Sequence, residues 1–267
     1  MDETRILDVA GRKAAVRGWP GEGPAVVPVH GAGGHQDTLG RLGAALAARG
    51  AAVHAPSLPG RMGSEGPPRT AVTELADWTA ELLGALGLER PVVLGHSFGG
   101  AVALELALRH PERPGGLALV ATGARLRVHP MILQAMGEAA ERHVPADLGR
   151  MAWRPHTDPA LVDEALAIAA QTPPATALAD WRAADAFDRM AELDRVRLPA
   201  LVLGGTEDEL TPPKFARYLA EHLPGGHLAL MEGEGHMLPM ERSDAVAEAV
   251  LGFFAVDEPA GGTAGHP

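Results

Sequence analysis

The chain has 267 residues, no cysteine and a formal net charge of −11. These features exclude disulfides and cysteine chemistry, and they disfavour nucleic acids and anionic membranes as partners. The twelve histidines form neither a His-x-His pair nor a His-Glu-x-x-His sequence, so neither a metal site nor any other cofactor is predicted. The charged N-terminus and the lack of a long apolar run predict a cytoplasmic protein without a membrane span.

Strand-like and helix-like segments alternate along the first 124 residues. Residues 4–19 are predicted to form two antiparallel strands. Further strands are predicted at 25–29, 51–55, 91–94 and 116–121, and helices at 38–49, 73–88 and 101–108. Pro28 is unusual in this pattern, because proline cannot donate a hydrogen bond within a sheet.

A long helix-like block at 125–188, cut by prolines, interrupts this alternation. Strands at 200–203 and 227–231 and helices at 212–223 and 242–254 then follow, and 257–267 is predicted to be a flexible tail. The pattern predicts an α/β fold with a mostly parallel eight-stranded sheet and helices on both faces. Residues 1–124 and 189–256 would form its core. The inserted block is too long for a loop and is predicted to be a helical cap over the strand ends that bind ligands.

Residues 95–100 read Gly-His-Ser-Phe-Gly-Gly and lie between a predicted strand and a predicted helix. A Gly-x-Ser-x-Gly sequence in this position is typical of a nucleophile elbow, although a purely structural glycine-rich turn could share it. The turn would strain the backbone of Ser97 and leave no room for a Cβ two residues before or after it. The amide of Phe98 would begin the helix, where it can stabilise negative charge.

A serine nucleophile needs a base and a carboxylate that orients the base. Glu207, Asp208 and Glu209 follow one late strand, and His236 follows the next. Both groups therefore lie at the same sheet edge as Ser97. The chain order of nucleophile, acid and histidine is the order of the α/β-hydrolase fold and differs from that of two common protease folds.

These motifs together resemble those of the α/β-hydrolase family, in particular its lid-bearing esterases, lipases and C–C bond hydrolases. The matching segments are 30–34, 58–64, 95–100, 205–213 and 235–236. The resemblance implies Ser97 as nucleophile, Asp208 as acid and His236 as base, with the backbone N–H groups of Ala32 and Phe98 as the oxyanion hole. Two other histidines of these loops, His30 and His96, are predicted to bind the backbone.

The implied substrate is a small or medium-sized apolar carboxylic ester. Lactones, thioesters and C–C bonds remain open, because the same triad cleaves them. A non-catalytic small-molecule receptor is the alternative of another class, whereas Gln36 replaces the third glycine that a dinucleotide site needs. Candidate pocket residues are the large apolar side chains of the cap and the histidine loop, although such side chains at helical spacing more often belong to the core. They are Met131, Met136, Met151, Trp153, Trp181, Met237 and Met240. The oligomeric state stays open.

Overall fold

The computed structural model describes residues 2–146, 149–154 and 156–255. The strands of that part form a single sheet. They are β1 (Glu3–Val9), β2 (Arg12–Trp19), β3 (Ala25–Val29), β4 (Ala52–Pro56), β5 (Val92–His96), β6 (Gly116–Val120), β7 (Ala200–Gly205) and β8 (Gly226–Met231). Their order in the sheet is β1-β2-β4-β3-β5-β6-β7-β8, and only β2 among them runs against its neighbours. The prediction of a mostly parallel eight-stranded sheet is confirmed.

Helices cover both faces of the sheet, as predicted. They are α1 (Gly40–Ala47), α2 (Val72–Ala85), α3 (Phe98–Arg109), α4 (Pro130–Arg142), α5 (Pro159–Ala169), α6 (Pro174–Asp185), α7 (Pro213–His222), α8 (Leu238–Glu241) and α9 (Ser243–Ala255). Side chains of α2, α3 and α7 share one core cluster with Val93 of β5, whereas α1 and α9 share the other with Leu94. Successive residues of β5 thus face opposite helix layers, which explains its uninterrupted apolar sequence.

Pro28 lies within β3 and pairs with Leu94 of β5. The ladder between β3 and β4 contains only Ala25 and Val26 on the β3 side. Pro28 therefore lies beyond the end of that ladder, where no pairing with β4 depends on its missing N–H. The strand predicted here is confirmed despite its proline.

The helices α4, α5 and α6 lie between β6 and β7 in the chain. Arg125 and Asp188, the ends of the predicted insertion, form an isolated antiparallel bridge and an ion pair of 3.7 Å. The chain thus leaves the sheet and returns to it at neighbouring points. The division into core and cap at these positions stays a prediction, and the tail predicted at 257–267 lies outside the described residues.

Across the described ranges, no helix combines the length and the apolar character that crossing a lipid bilayer would require.

Candidate active site

Ser97 occupies the sharp turn between β5 and α3. Its backbone angles, φ +53° and ψ −118°, lie in a region that non-glycine residues rarely adopt. A Cβ on Gly95 would overlap the carbonyl oxygen of Gly99, and a Cβ on Gly99 would overlap that of Val29. The steric pattern predicted for the elbow is therefore present. Thr122 supports the turn, because its hydroxyl donates to the Ser97 carbonyl at 2.7 Å.

The glycine-rich loop after β3 approaches this serine closely. A Cβ on Gly31 would lie 3.4 Å from the Cβ of Ser97. The loop turns back on itself, with the Gly34 amide donating to the Gly31 carbonyl at 3.1 Å and Gly33 at a φ of +71°. Its Ala32 lines the same cavity as Ser97 and Phe98. The two predicted oxyanion donors are thus the amides of residues that border one space beside the serine.

The acid loop after β7 and the histidine loop after β8 bring two predicted residues into contact. The Nδ1 of His236 lies 2.9 Å from Oδ2 of Asp208, and both residues are buried. Because a carboxylate can only accept, Nδ1 carries the proton and donates it to Asp208. His236 also lines the cavity that Ser97 borders. The imidazole of this buried pair therefore borders the same cavity as the serine.

The structure also separates Asp208 from its two acidic neighbours, Glu207 and Glu209, which are exposed. Burial by itself raises the pKa of Asp208, but the charge of His236 and the surrounding hydrogen bonds outweigh it and hold that pKa below its usual range. The donors include the amides of Leu210 and Thr211, at 2.9 and 2.8 Å from Oδ1. Asp208 is consequently ionised at neutral pH and suited to orient an imidazole.

Thr211 is a site residue that the sequence reasoning missed. Its hydroxyl donates to Oδ2 of Asp208 at 2.7 Å and lies 3.2 Å from Nδ1 of His236. It therefore binds the same carboxylate oxygen as the histidine. The spacing of an aspartate three residues before a threonine was an available signal, because such side chains commonly bind nearby backbone amides and one another.

The two other histidines of the motif loops bind the backbone, as predicted. Nδ1 of His30 donates to the Gly31 carbonyl at 2.8 Å, and Nε2 of His96 donates to the His236 carbonyl at 3.0 Å. Burial and the neighbouring His236 lower the pKa of His96 to about 3, and burial and the Arg61 charge place that of His30 well below its ordinary value. Both rings are therefore neutral at pH 7, and His96 supports the loop that carries His236.

The cavity beside Ser97 has a volume of about 210 Å³. Its apolar lining comes from both the sheet edge and the inserted helices: Phe98, Leu126, Val128, Ile132, Met151, Trp181, Ala184, Leu210 and Phe215. Arg127, His129 and Glu209 contribute polar groups from exposed positions. A smaller cavity of about 80 Å³ adjoins the glycine-rich loop, and a larger one of about 470 Å³ lies among α4, α5 and α6. Ala32 and Trp181 border all three cavities.

The predicted pocket residues divide into two groups. Those that border one of these cavities are Met136, Met151, Trp181 and Met237. Met131 departs from its prediction, because it is 71% exposed while the next residue of α4, Ile132, faces the cavity. Trp153 and Met240 line none of these three cavities; they pack against Ala152, which borders the smallest of them. The large apolar residue types alone could not separate these groups.

The eight-stranded sheet with helices on both faces is the fold of an α/β hydrolase. The family model described as the alpha/beta hydrolase family matches residues 26–249, and the chain belongs to this family. It is 33% identical over 204 residues to the protein named "Putative carbamate hydrolase RutD" of Azorhizobium caulinodans, an alignment that spans 73% of this chain and 77% of that protein.

Solved structures agree with this assignment. A thermophilic esterase is 29% identical with a TM-score of 0.81, and the match covers 96% of this chain and 98% of the esterase. The enol-lactonase from Burkholderia xenovorans LB400 has the same fold, with a TM-score of 0.81 at 24% identity over 94% of this chain and all of that chain. Family and named relatives together support a hydrolase that acts on a small molecule.

Proposed function

We propose that the protein is a serine hydrolase that cleaves small or medium-sized apolar carboxylic esters through an acyl-enzyme intermediate. The observation that carries this proposal is the buried His236, bound to Asp208 at 2.9 Å, which lines one cavity together with the strained Ser97. A serine hydroxyl is a weak nucleophile unless a positioned base takes its proton. In this proposal His236, oriented by Asp208, is that base for Ser97.

In the proposed reaction, the Oγ of Ser97 attacks the ester carbonyl carbon while its proton passes to Nε2 of His236. The carbonyl electron pair moves onto oxygen, and the amides of Ala32 and Phe98 bind the resulting oxyanion. Asp208 stabilises the charged imidazole. When the tetrahedral intermediate collapses, the alcohol leaves with the proton from His236. Water then loses a proton to His236 as it attacks the acyl group. When this second tetrahedral intermediate collapses, the bond to Oγ breaks, His236 returns the proton to Oγ, and the carboxylic acid is released.

The cavity supports an apolar substrate of limited size. Most of its lining is aliphatic or aromatic, and its charged groups, Arg127 and Glu209, stand at exposed positions. An apolar acyl or alcohol group would therefore be desolvated beside Ser97, which favours binding at roughly 25 cal/mol per Å² of buried apolar surface. We further propose residues 125–188 as the cap that supplies this surface, through Leu126, Ile132 and Trp181.

Carbamates are the second candidate substrates, because the 33% identical relative is named as a carbamate hydrolase. Lactones, thioesters and C–C bonds between carbonyl groups need the same nucleophile and oxyanion hole, so the triad alone does not separate them. The apolar cavity favours esters over small polar carbamates. A receptor that binds such a molecule without cleaving it would keep the cavity but leave Ser97 unreactive.

A screen with resolved products tests the proposal. The purified protein is incubated with p-nitrophenyl esters of two to eight acyl carbons, lactones, thioesters, aryl carbamates and a vinylogous diketone, alongside Ser97→Ala. We expect the highest kcat/KM for an ester and no turnover above background in Ser97→Ala. Labelling by a fluorophosphonate probe, absent in the variant, identifies the nucleophile. An unlabelled wild-type protein without turnover would instead favour the receptor, and turnover by Ser97→Ala at the wild-type rate would exclude the scheme.

A further inference from the structure

A fully buried ion pair lies directly behind the glycine-rich loop. Arg61, in the loop after β4, donates to Asp180 of α6 through Nη1 at 2.5 Å and Nη2 at 2.9 Å, and neither side chain is exposed at all. This two-pronged geometry is the strongest that an arginine and a carboxylate form. It joins the sheet side of the molecule to a helix of the inserted block.

The same carboxylate holds the backbone beside the predicted oxyanion donor. Oδ2 of Asp180 accepts the amide of Gly33 at 2.9 Å, and Nη1 of Arg61 donates to the Gly34 carbonyl at 3.3 Å. Gly33 has a φ of +71°, so the loop depends on an unusual backbone conformation at this residue. The bond from Asp180 fixes the peptide plane between Ala32 and Gly33, and with it the chain that follows the Ala32 amide.

Stability alone is a weak reason for such a pair. Apolar residues of similar volume often replace buried ion pairs without loss of stability, because removing two charges from water is costly. The pair instead supplies one thing that apolar residues cannot supply, an acceptor for the buried Gly33 amide. Arg61 balances the charge of that acceptor, so no net negative charge lies beside the place where the oxyanion would form.

We propose that Asp180, neutralised by Arg61, is a positioning residue that holds the glycine-rich loop so that the Ala32 amide meets the oxyanion. This inference rests on the proposed function. Asp180 binds the Gly33 amide and touches no reacting atom. It affects the reaction only by placing the Ala32 amide, which binds the charge that develops in the transition state. Its loss is therefore expected to lower kcat and to leave KM nearly unchanged.

Two double variants isolate the acceptor for Gly33. Arg61→Met/Asp180→Asn removes both charges but keeps a side-chain oxygen that can accept the Gly33 amide. Arg61→Met/Asp180→Leu removes both charges and that oxygen, with the same number and branching of side-chain heavy atoms at position 180. Measurements of kcat and KM with p-nitrophenyl butyrate, together with thermal midpoints, compare the two. We expect kcat of the Leu variant to be about 10- to 100-fold below that of the Asn variant, because misplacement of a catalytic group by about 1 Å can cost 10²-fold. We expect KM to agree within about threefold.

Affinity for a trifluoromethyl ketone, which forms a tetrahedral adduct with the serine, should fall by the same factor as kcat. Equal kcat values in the two variants, within about threefold, would overturn the inference. Should either variant fail to fold, peptide-level hydrogen exchange of the wild type tests whether the bond to Asp180 protects the Gly33 amide. The amides of 33–34 are expected to exchange as slowly as those of β5, and exchange within seconds would overturn the inference.

The two proposals fail in different ways. A wild type without turnover and without labelling at Ser97 removes the proposed function, and this inference with it. An active, labelled wild type whose Leu and Asn variants turn over equally removes only the role of Asp180.

Discussion

The sheet edge and the inserted helices position their residues in different ways for the proposed reaction. At the sheet edge, each reacting group follows a strand, and tight turns and hydrogen bonds position it: Ser97 by the elbow, Asp208 by two amides, and His236 by Asp208. In the insertion, Trp181 and Ile132 reach the cavity through helix packing. The proposed chemistry therefore depends on local backbone geometry, to which the insertion adds the bond between Asp180 and Gly33, whereas the proposed selection of substrate depends on which helix face turns inward. Asp180 aside, substitutions in the two regions should accordingly change different kinetic quantities.

The largest expected effect concerns the acid of the triad. Asp208→Asn should lower kcat by about 10⁴-fold, because the amide stabilises the wrong imidazole tautomer and removes the charge that balances a protonated His236. Glu207→Gln is the matched control, since Glu207 is exposed in the same loop and borders none of the three cavities. Its kcat should stay within about threefold of the wild type. Steady-state kinetics with the ester found in the screen measures both variants, and a large loss in Glu207→Gln with little loss in Asp208→Asn would assign the acid to Glu207.

Thr211 tests how far the sheet-edge site extends beyond the three residues. Thr211→Val removes the hydroxyl that donates to Asp208 but keeps the backbone amide bond to Oδ1. Loss of one hydrogen bond to a charged group costs roughly 1.5 kcal/mol, so kcat should fall about tenfold. Thr211→Ser keeps the hydroxyl and should recover most of that loss. The kcat/KM of both variants is measured as a function of pH. If Thr211→Val and Thr211→Ser have the same kcat/KM at every pH, the hydroxyl has no part in positioning Asp208.

Much of this edge could be predicted from the sequence because its signals are local. Gly95 and Gly99 are required by contacts within a few residues of Ser97 or with the adjacent strand, so the motif itself encodes the turn. The acid was harder, since three carboxylates follow β7. Their different burial, which arises from the histidine loop packing against Asp208, is a tertiary effect that spacing does not contain.

The cap was less predictable for the same physical reason. Met131 and Ile132 are neighbours in α4, and only the packing of that helix decides that Ile132 faces the cavity while Met131 faces solvent. Trp153 and Trp181 likewise share a residue type but not an environment. The bond between Asp180 and Gly33 joins residues 147 positions apart, and no short motif signals it.

Trp181 offers a test of substrate selection in the cap. Its side chain borders the 210 Å³ cavity and the 470 Å³ cavity, so Trp181→Leu should join them. An octanoate ester has four methylenes more than a butyrate ester, and each one that becomes buried contributes about 0.8 kcal/mol. Burial of two of them in Trp181→Leu should raise the ratio of kcat/KM for octanoate to kcat/KM for butyrate about tenfold. Trp153→Leu is the control, because Trp153 packs against Ala152 and Met240 instead. An unchanged ratio in Trp181→Leu would show that the indole does not limit the cavity.

The smallest expected effect is the pH dependence that His96 confers on stability. Its pKa falls from 6.5 in the unfolded chain to about 3 in the fold, so the unfolded state binds the extra proton and stability decreases as pH falls below about 6.5. At pH 5.5 this loss amounts to about 1.4 kcal/mol. His96→Gln keeps an amide donor for the His236 carbonyl but does not titrate, so its unfolding free energy should fall less between pH 7.5 and 5.5.

Urea denaturation at the two pH values measures this difference, with His222→Gln, at an exposed position of α7, as the control that should follow the wild type. Asp208 does not contribute to the change between pH 7.5 and 5.5. Its pKa is lowered from 3.8, so the stability that its ionised form provides is lost only below about pH 3.8. Equal losses in the wild type and His96→Gln would mean that the His96 ring accepts a proton within the folded protein. A charged His96 ring would then lie buried against the loop of His236, where its burial is expected to keep it neutral.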